Sequence, residues 1–158
     1  MAFPYGFVAD DLLERFSQKR LVEITDVTQN PPTTRDDAAI EQAAIDAAGE
    51  LDMSAGRYYV TPLAPFTDGL GMVFLDLWAW RLLFNCKPDW LESEQKGEGF
   101  SWSDRRKELV AWLKGLSSPK RETVLPGCTE VATRTSSSGI KFTTGTPVMT
   151  KTSLRKVS

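Results

Sequence analysis

Residues 70–84 read LGMVFLDLWAWRLLF, and this stretch decides the fold. Leu70, Val73, Phe74, Leu77, Trp78, Leu82 and Phe84 leave a helix here with little polar face. A helix that is apolar nearly all round belongs at the centre of a protein, with other helices around it. Thr67 or Asp68 is its predicted N-cap. Asp76 and Arg81 break the apolar pattern, and five residues apart they do not face each other. An unpaired buried charge is costly, so each needs a partner on another element. Arg57 is the candidate for Asp76, and an acid of the alanine-rich helix upstream for Arg81. Arg57, Asp76 and Arg81 are thus read as residues of structural ion pairs. The stretch is too short and too charged to span a membrane.

Upstream, Thr34 or Asp36 starts a long helix. Its stripe of Ile40, Ala44, Ala47, Leu51, Ala55 and Tyr58 is mostly alanine, which lets a neighbouring helix approach closely. Glu41, Asp46, Glu50 and Asp52 fall mainly off the stripe and predict an acidic surface. A short helix over 7–16 and a further turn over 17–24 precede it, with Val8, Leu12, Leu13, Phe16, Leu21, Val22 and Ile24 as apolar contacts. Downstream, residues 87–100 read as a loop. Ser101 or Ser103 then caps a final helix that buries Trp102, Leu109, Trp112, Leu113 and Leu116. It exposes Arg105, Arg106, Lys107 and Glu108, and stops at Gly115 and 117–119.

Composition changes at about residue 118. Residues 1–118 carry a net charge of −7, whereas residues 119–158 carry +5 and are rich in Ser and Thr. The chain therefore divides into a helical body, 1–118, and a basic arm, 119–158. The fold class is all-α, a small bundle of about four to five helices with an extended C-terminal arm. The segments 130–135 and 140–144 are compatible with a β-hairpin in that arm. An arm with so little to bury takes its order from a partner. Strand addition to a partner's sheet edge fits its alternating side chains. Ile140, Phe142, Val148, Met149 and Leu154 would be its apolar anchors, and Arg155 and Lys156 would match charge. On this division, a chain cut after Leu125 keeps a folded body and loses only the arm's partner.

The chain has no histidine, which removes the commonest general base and metal ligand, and the usual Ser-His and Cys-His pairs. No phosphate-binding glycine loop, EF-hand, dinucleotide fingerprint or serine elbow is present. Cys86 and Cys128 sit in no recognisable motif, so free thiols are expected. No secretory signal is expected from the first residues. A non-enzymatic protein without a cofactor is the reading, with a carboxylate-based enzyme as one rival. Nucleic-acid binding by the arm is another, against which stand the acidic body and an arm with Phe142 as its one aromatic.

One resemblance covers roughly residues 8–118. It rests on Asp11-Leu12-Leu13-Glu14-Arg15-Phe16, Leu21-Val22-Glu23-Ile24-Thr25-Asp26, Ala55-Gly56-Arg57-Tyr58 with Pro62-Leu63-Ala64-Pro65, the Asp76/Arg81 helix, and Arg105-Arg106 through Trp112-Leu113. This pattern resembles the small proteins of unknown function encoded among the head genes of Mu-like prophages. These are similar in helical layout to the head–tail adaptors, or connectors, of tailed bacteriophages. The resemblance implies a structural protein of the virion, made in the host cytoplasm and placed at the head–tail interface. Its implied partners are the portal protein, neighbouring copies in a ring of about twelve, and a tail-proximal connector or terminator. DNA would pass through without specific binding, and no membrane would be involved. A tail-completion or terminator role is the nearest structural alternative.

Overall fold

The computed structural model describes residues 3–29, 31–92, 101–118, 120 and 123–131. Among these the body is all-α. Its helices are α1 (Gln18–Thr25), α2 (Asp37–Ala55), α3 (Asp68–Cys86), α4 (Asp89–Glu92) and α5 (Trp102–Ser117), after two 3-10 turns, Pro4–Gly6 and Ala9–Glu14.

Each full helix starts at a side-chain cap. Ser17, Asp36, Thr67 and Ser101 accept backbone N–H groups of the first turns of α1, α2, α3 and α5. These caps satisfy donors that the helix itself leaves unpaired, each worth about 1 kcal/mol. The cap of α2 is tied to α1 in turn: Thr25 Oγ1 accepts the Asp36 N–H at 3.0 Å and donates to the Leu21 carbonyl at 2.9 Å.

α2 and α3 form the centre. Arg81 reaches Glu50 while Asn85 reaches Asp46, so the two helices run antiparallel. Ala43, Ala44, Ala47, Ala48 and Ala55 are buried on α2, which leaves room for the bulky face of α3. Phe74, Leu77, Trp78, Ala79 and Leu82 are fully buried there. The Trp78 indole donates to the Ile40 carbonyl at 2.9 Å, so the largest core side chain keeps its one polar atom satisfied. α5 packs across both long helices through Leu109, Leu113 and Leu116. Val73 and Phe84, expected in the core, are only partly covered, and Phe84 stacks on Trp80 at the surface instead.

The N-terminal residues form an aromatic strap. Tyr5 stacks on Phe66 at 4.1 Å and meets Phe74 edge-on. Phe3 contacts Trp78, and Phe7 contacts Phe74 and Phe66. Tyr5 holds a positive φ of 57°, unusual for a side chain of this size, while its hydroxyl donates to Asp52 at 2.5 Å. Burial and the Asp52 carboxylate push that hydroxyl's pKa well above its ordinary value.

The body does not stop at the compositional seam. Residues 123–131 return to it. Leu125 is buried and donates its N–H to the Tyr59 hydroxyl at 3.0 Å. Tyr59 and Glu130 form an antiparallel bridge, closed by Val60 N–H to the Thr129 carbonyl and Val131 N–H to the Tyr58 carbonyl, both 2.8 Å. Pro126-Gly127 makes the predicted turn, with Gly127 at φ 80°. Gly115 is not a stop but lies within α5. A Cβ there would fall 2.4 Å from Thr123 Oγ1, so the glycine lets the returning segment cross the helix. A cut after Leu125 would remove paired backbone, not a free arm. The rest of the expected hairpin lies outside the described residues.

Candidate functional site

Two carboxylates, buried Asp76 and half-buried Glu50, organise the charged side chains of the body. Asp76 points from the middle of α3 with its side chain 6% exposed. Arg15 Nε donates to its Oδ1 at 2.6 Å, and Arg105 donates to Oδ2 through Nε at 2.8 Å and also through Nη2. The three residues belong to the N-terminal turn, α3 and α5, so one carboxylate joins three segments. The Asp76 bonds, and secondarily Glu108, raise the pKa of the Arg105 guanidinium. Arg57 is not the partner of Asp76: it is exposed, with its guanidinium 5.3 Å from the ring of neighbouring Tyr58. Its place just past the end of α2 keeps it at the surface.

Glu50, on α2, is the second centre. Arg81 donates to Oε2 through Nη2 at 2.7 Å and Nε at 3.1 Å, and Arg106 Nη2 donates to Oε1 at 2.5 Å. Burial pushes the Glu50 carboxyl upward, but the bonds from Arg106 and Arg81 outweigh it and hold its pKa below the ordinary value. Arg106 also lies over the Trp80 ring at 4.2 Å. Its Nη1 is buried without a hydrogen-bond partner among the described residues, and the facing indole offsets part of that cost.

Arg105 and Arg106 are therefore half-buried ion-pair residues and not the exposed pair that their position near a helix start suggested. The signal for this was their adjacency: successive residues on a helix diverge by about 100°, so two arginines in a row reach two different neighbours. Arg15 lies between Leu12 and Phe16, both buried, so its side chain starts from a segment held against the core. Nothing comparable flagged Tyr59, whose hydroxyl serves a residue 66 positions away.

A third carboxylate, Asp26, shapes a loop. Its Oδ1 accepts from the Thr28 and Gln29 N–H groups and the Thr28 hydroxyl, and its Oδ2 from the Thr33 and Thr34 N–H groups. The Thr33 bond leads, opposed by burial, and the carboxyl is lowered from 3.8 to about 2.

Beside Glu50 the outer face of α2 is open. Ile45, Gly49 and Met53 follow at four-residue steps and line a groove of about 660 Å³ with Asp46, Ser54 and Arg81. Met53 is 85% exposed and Ile45 48%. A smaller groove of about 250 Å³ toward α5 shares Glu50 and Ser54 with it. The two together make a trough along α2. Chemically, the two centres are carboxylates saturated by guanidinium groups, suited to fixing helices, while the trough offers an apolar contact surface with Asp46 on its rim. Among the described residues no group of three or more His, Cys, Asp or Glu is placed to hold a metal ion, and no helix is long and apolar enough to cross a membrane. The expected anchors Ile140, Phe142, Val148, Met149, Leu154, Arg155 and Lys156 lie outside the described residues.

No curated protein matches the sequence. A family model described as bacteriophage Mu, Gp36 matches residues 7–141, thus α1 to α5, the returning segment 123–131 and the first part of the basic arm. The chain belongs to the bacteriophage Mu Gp36 family.

Proposed function

We propose that this phage protein is a structural component of virion assembly, and specifically a head–tail adaptor that joins a ring beneath the portal. Family membership carries the reading, because it places the chain among phage proteins. The body supports it: helices locked by two arginine-bridged carboxylates make a rigid block, which a ring subunit needs. The charge division supports it too. An acidic body facing a DNA channel repels phosphates and lets DNA slide. Val131 is hydrogen-bonded to the body, and the basic Ser/Thr-rich sequence that follows it carries little apolar content of its own to bury, which suits contact with another surface. In this role the chain is not an enzyme, has no cofactor, and works with the portal, its own neighbouring copies and a tail-proximal protein at the head–tail interface.

Particles made without the protein test the proposal. DNA-filled heads that lack tails are the expected outcome, and overlong tails would assign a terminator role instead. Tight, salt-sensitive DNA binding by the purified chain would favour a nucleic-acid-binding accessory protein.

A further inference from the structure

One acid of α2 and one arginine just past its end have no charged partner, and they lie on the same ridge. The helix carries five carboxylates. Asp37 is held by Arg35, Asp46 by the Gln42 and Asn85 amides, Glu50 by Arg81 and Arg106, and Asp52 by the Tyr5 hydroxyl. Glu41 alone makes no side-chain hydrogen bond or ion pair among the described residues. Arg57 is its counterpart. Every other arginine among the described residues pairs with a carboxylate, whereas Arg57 only lies 5.3 Å from the Tyr58 ring. Between Glu41 and Arg57, at four-residue steps, stand Ile45, Gly49 and Met53, all exposed.

The ridge is centred on Gly49. Glycine weakens a helix interior, and the described body gives no reason for one here, since a Cβ would meet nothing within 4 Å. Ile45 and Met53 lie one turn to either side. Glu41 and Arg57 lie two turns away, about 12 Å along the axis. Gly56 keeps helical dihedrals, φ −61° and ψ −10°, so Arg57 continues the ridge past the last residue of α2. Ridges of residues four apart mesh when two helices cross at about 50°. Turned end for end about Gly49, this ridge meets its own complement: glycine faces glycine, Ile45 faces Met53, and Glu41 faces Arg57. The flanks do not oppose the contact. Asp46 and Asp52, three residues to either side of Gly49, fall on opposite flanks at about 100° per residue. On the Asp46 side, Asp46 and Glu50 stand against Arg81 and Arg106, so that flank has no excess charge to repel a second copy.

We propose that the free chain forms a closed dimer in which α2 packs antiparallel on α2 of a second copy, crossing at Gly49. The contact is isologous, so each interaction occurs twice. Two Ile45–Met53 contacts flank the paired glycines, where the backbones approach closely, and a Glu41–Arg57 ion pair closes each end. The end charges fix the register, because a slip of one turn sets Ile45 against glycine and strands all four ions. Each copy uses its one ridge, so association stops at two. A contact this narrow is at the low end of interface size and is reversible. The proposal concerns the free chain and does not depend on the adaptor reading.

Sedimentation velocity of the full chain over about a hundredfold range of concentration tests it. The mass should rise from one chain to two and no further. Glu41→Arg or Arg57→Glu sets like charges at both ends and should weaken association about tenfold or more. Both substitutions in one chain exchange the ions and should restore it, as should mixing the two single variants. Gly49→Leu should abolish the dimer by holding the backbones apart. Its melting temperature, read at a dilution where the wild type is a single chain, should stay level or rise, since leucine suits a helix better and meets no neighbour. A wild-type chain that remains single throughout overturns the proposal. Association that grows beyond two, that all three single variants leave unchanged, or that the double exchange fails to restore overturns it as well.

Discussion

Arg15 and Asp76 lie 61 residues apart in sequence, yet their Nε and Oδ1 atoms meet at 2.6 Å behind the N-terminal turn. With Arg105 on the other carboxylate oxygen, the pair ties the start of the chain to α5 through α3. Removing the shared acid leaves two guanidinium groups half-buried without their partner. Asp76→Ala should destabilise the protein by about 3–5 kcal/mol, near the scale set by breaking buried pairs. Chemical denaturation reads the loss as a lower midpoint. A loss under 1 kcal/mol would show that the N-terminal turn is held by its aromatic contacts and not by this carboxylate.

Tyr59→Phe removes one oxygen and nothing else. The Leu125 N–H, buried against it at 3.0 Å, then has no acceptor. The expected cost is about 1–3 kcal/mol. Hydrogen exchange at Leu125 should rise far more than exchange in α3, because the segment 123–131 opens before the core does.

Asp26 makes stability depend on acid. Its carboxyl is lowered from 3.8 to about 2 in the folded protein, chiefly by the Thr33 N–H. A depressed carboxylate contributes stability that is full above the unfolded value and is lost as pH falls through the folded one. The decline should therefore run from about pH 4 down to about pH 2, and Asp26→Asn should flatten it. Melting temperatures across that range check the slope. An equal slope in both proteins assigns the acid sensitivity to other carboxylates such as Glu50.

Where the chain is cut distinguishes body from tail. A protein ending at residue 131 should fold with the full cooperativity of the intact chain, since all the described contacts remain. One ending at residue 118 removes buried Leu125, strands the Tyr59 hydroxyl and unpairs the backbone at Tyr58 and Val60. Its melting temperature should fall clearly below that of the longer form. Equal melting of the two would mean that the returning segment adds nothing to the fold.

Much of the bundle was legible in the sequence because apolar spacing reports burial directly. Of the α2 stripe, Ile40, Ala44, Ala47, Leu51 and Ala55 are buried while Tyr58, past the helix end, is half-buried, and the α3 residues Leu70, Phe74, Leu77, Trp78 and Leu82 are all buried. Capping residues were narrowed to short choices that geometry resolved as Asp36, Thr67 and Ser101. The partners of charged residues were not legible. Helical spacing says that Asp76 is buried, but which guanidinium meets it depends on how three segments cross, and the nearer-looking Arg57 was displaced by Arg15 and Arg105. The compositional seam misled for a related reason. Charge and Ser/Thr content change at residue 118, but packing follows a few anchors, and Leu125, Thr129 and Val131 were enough to extend the body past it.

Arg105 and Arg106 are neighbours on α5 whose side chains part toward Asp76 on α3 and Glu50 on α2. Apolar faces tolerate sliding and rolling, since the hydrophobic effect has no preferred direction. Two adjacent cations bound to two separate acids do not. Turning α5 by a single residue, or shifting it one step along its axis, would misdirect both at once. The pair acts as a keyway that fixes the azimuth of the helix. The returning residues 123–131, which cross α5 at Gly115, are therefore set on the same bearing in every copy of the protein. If the protein assembles with copies of itself as proposed, a constant bearing is what would allow one contact to be repeated around a closed symmetry.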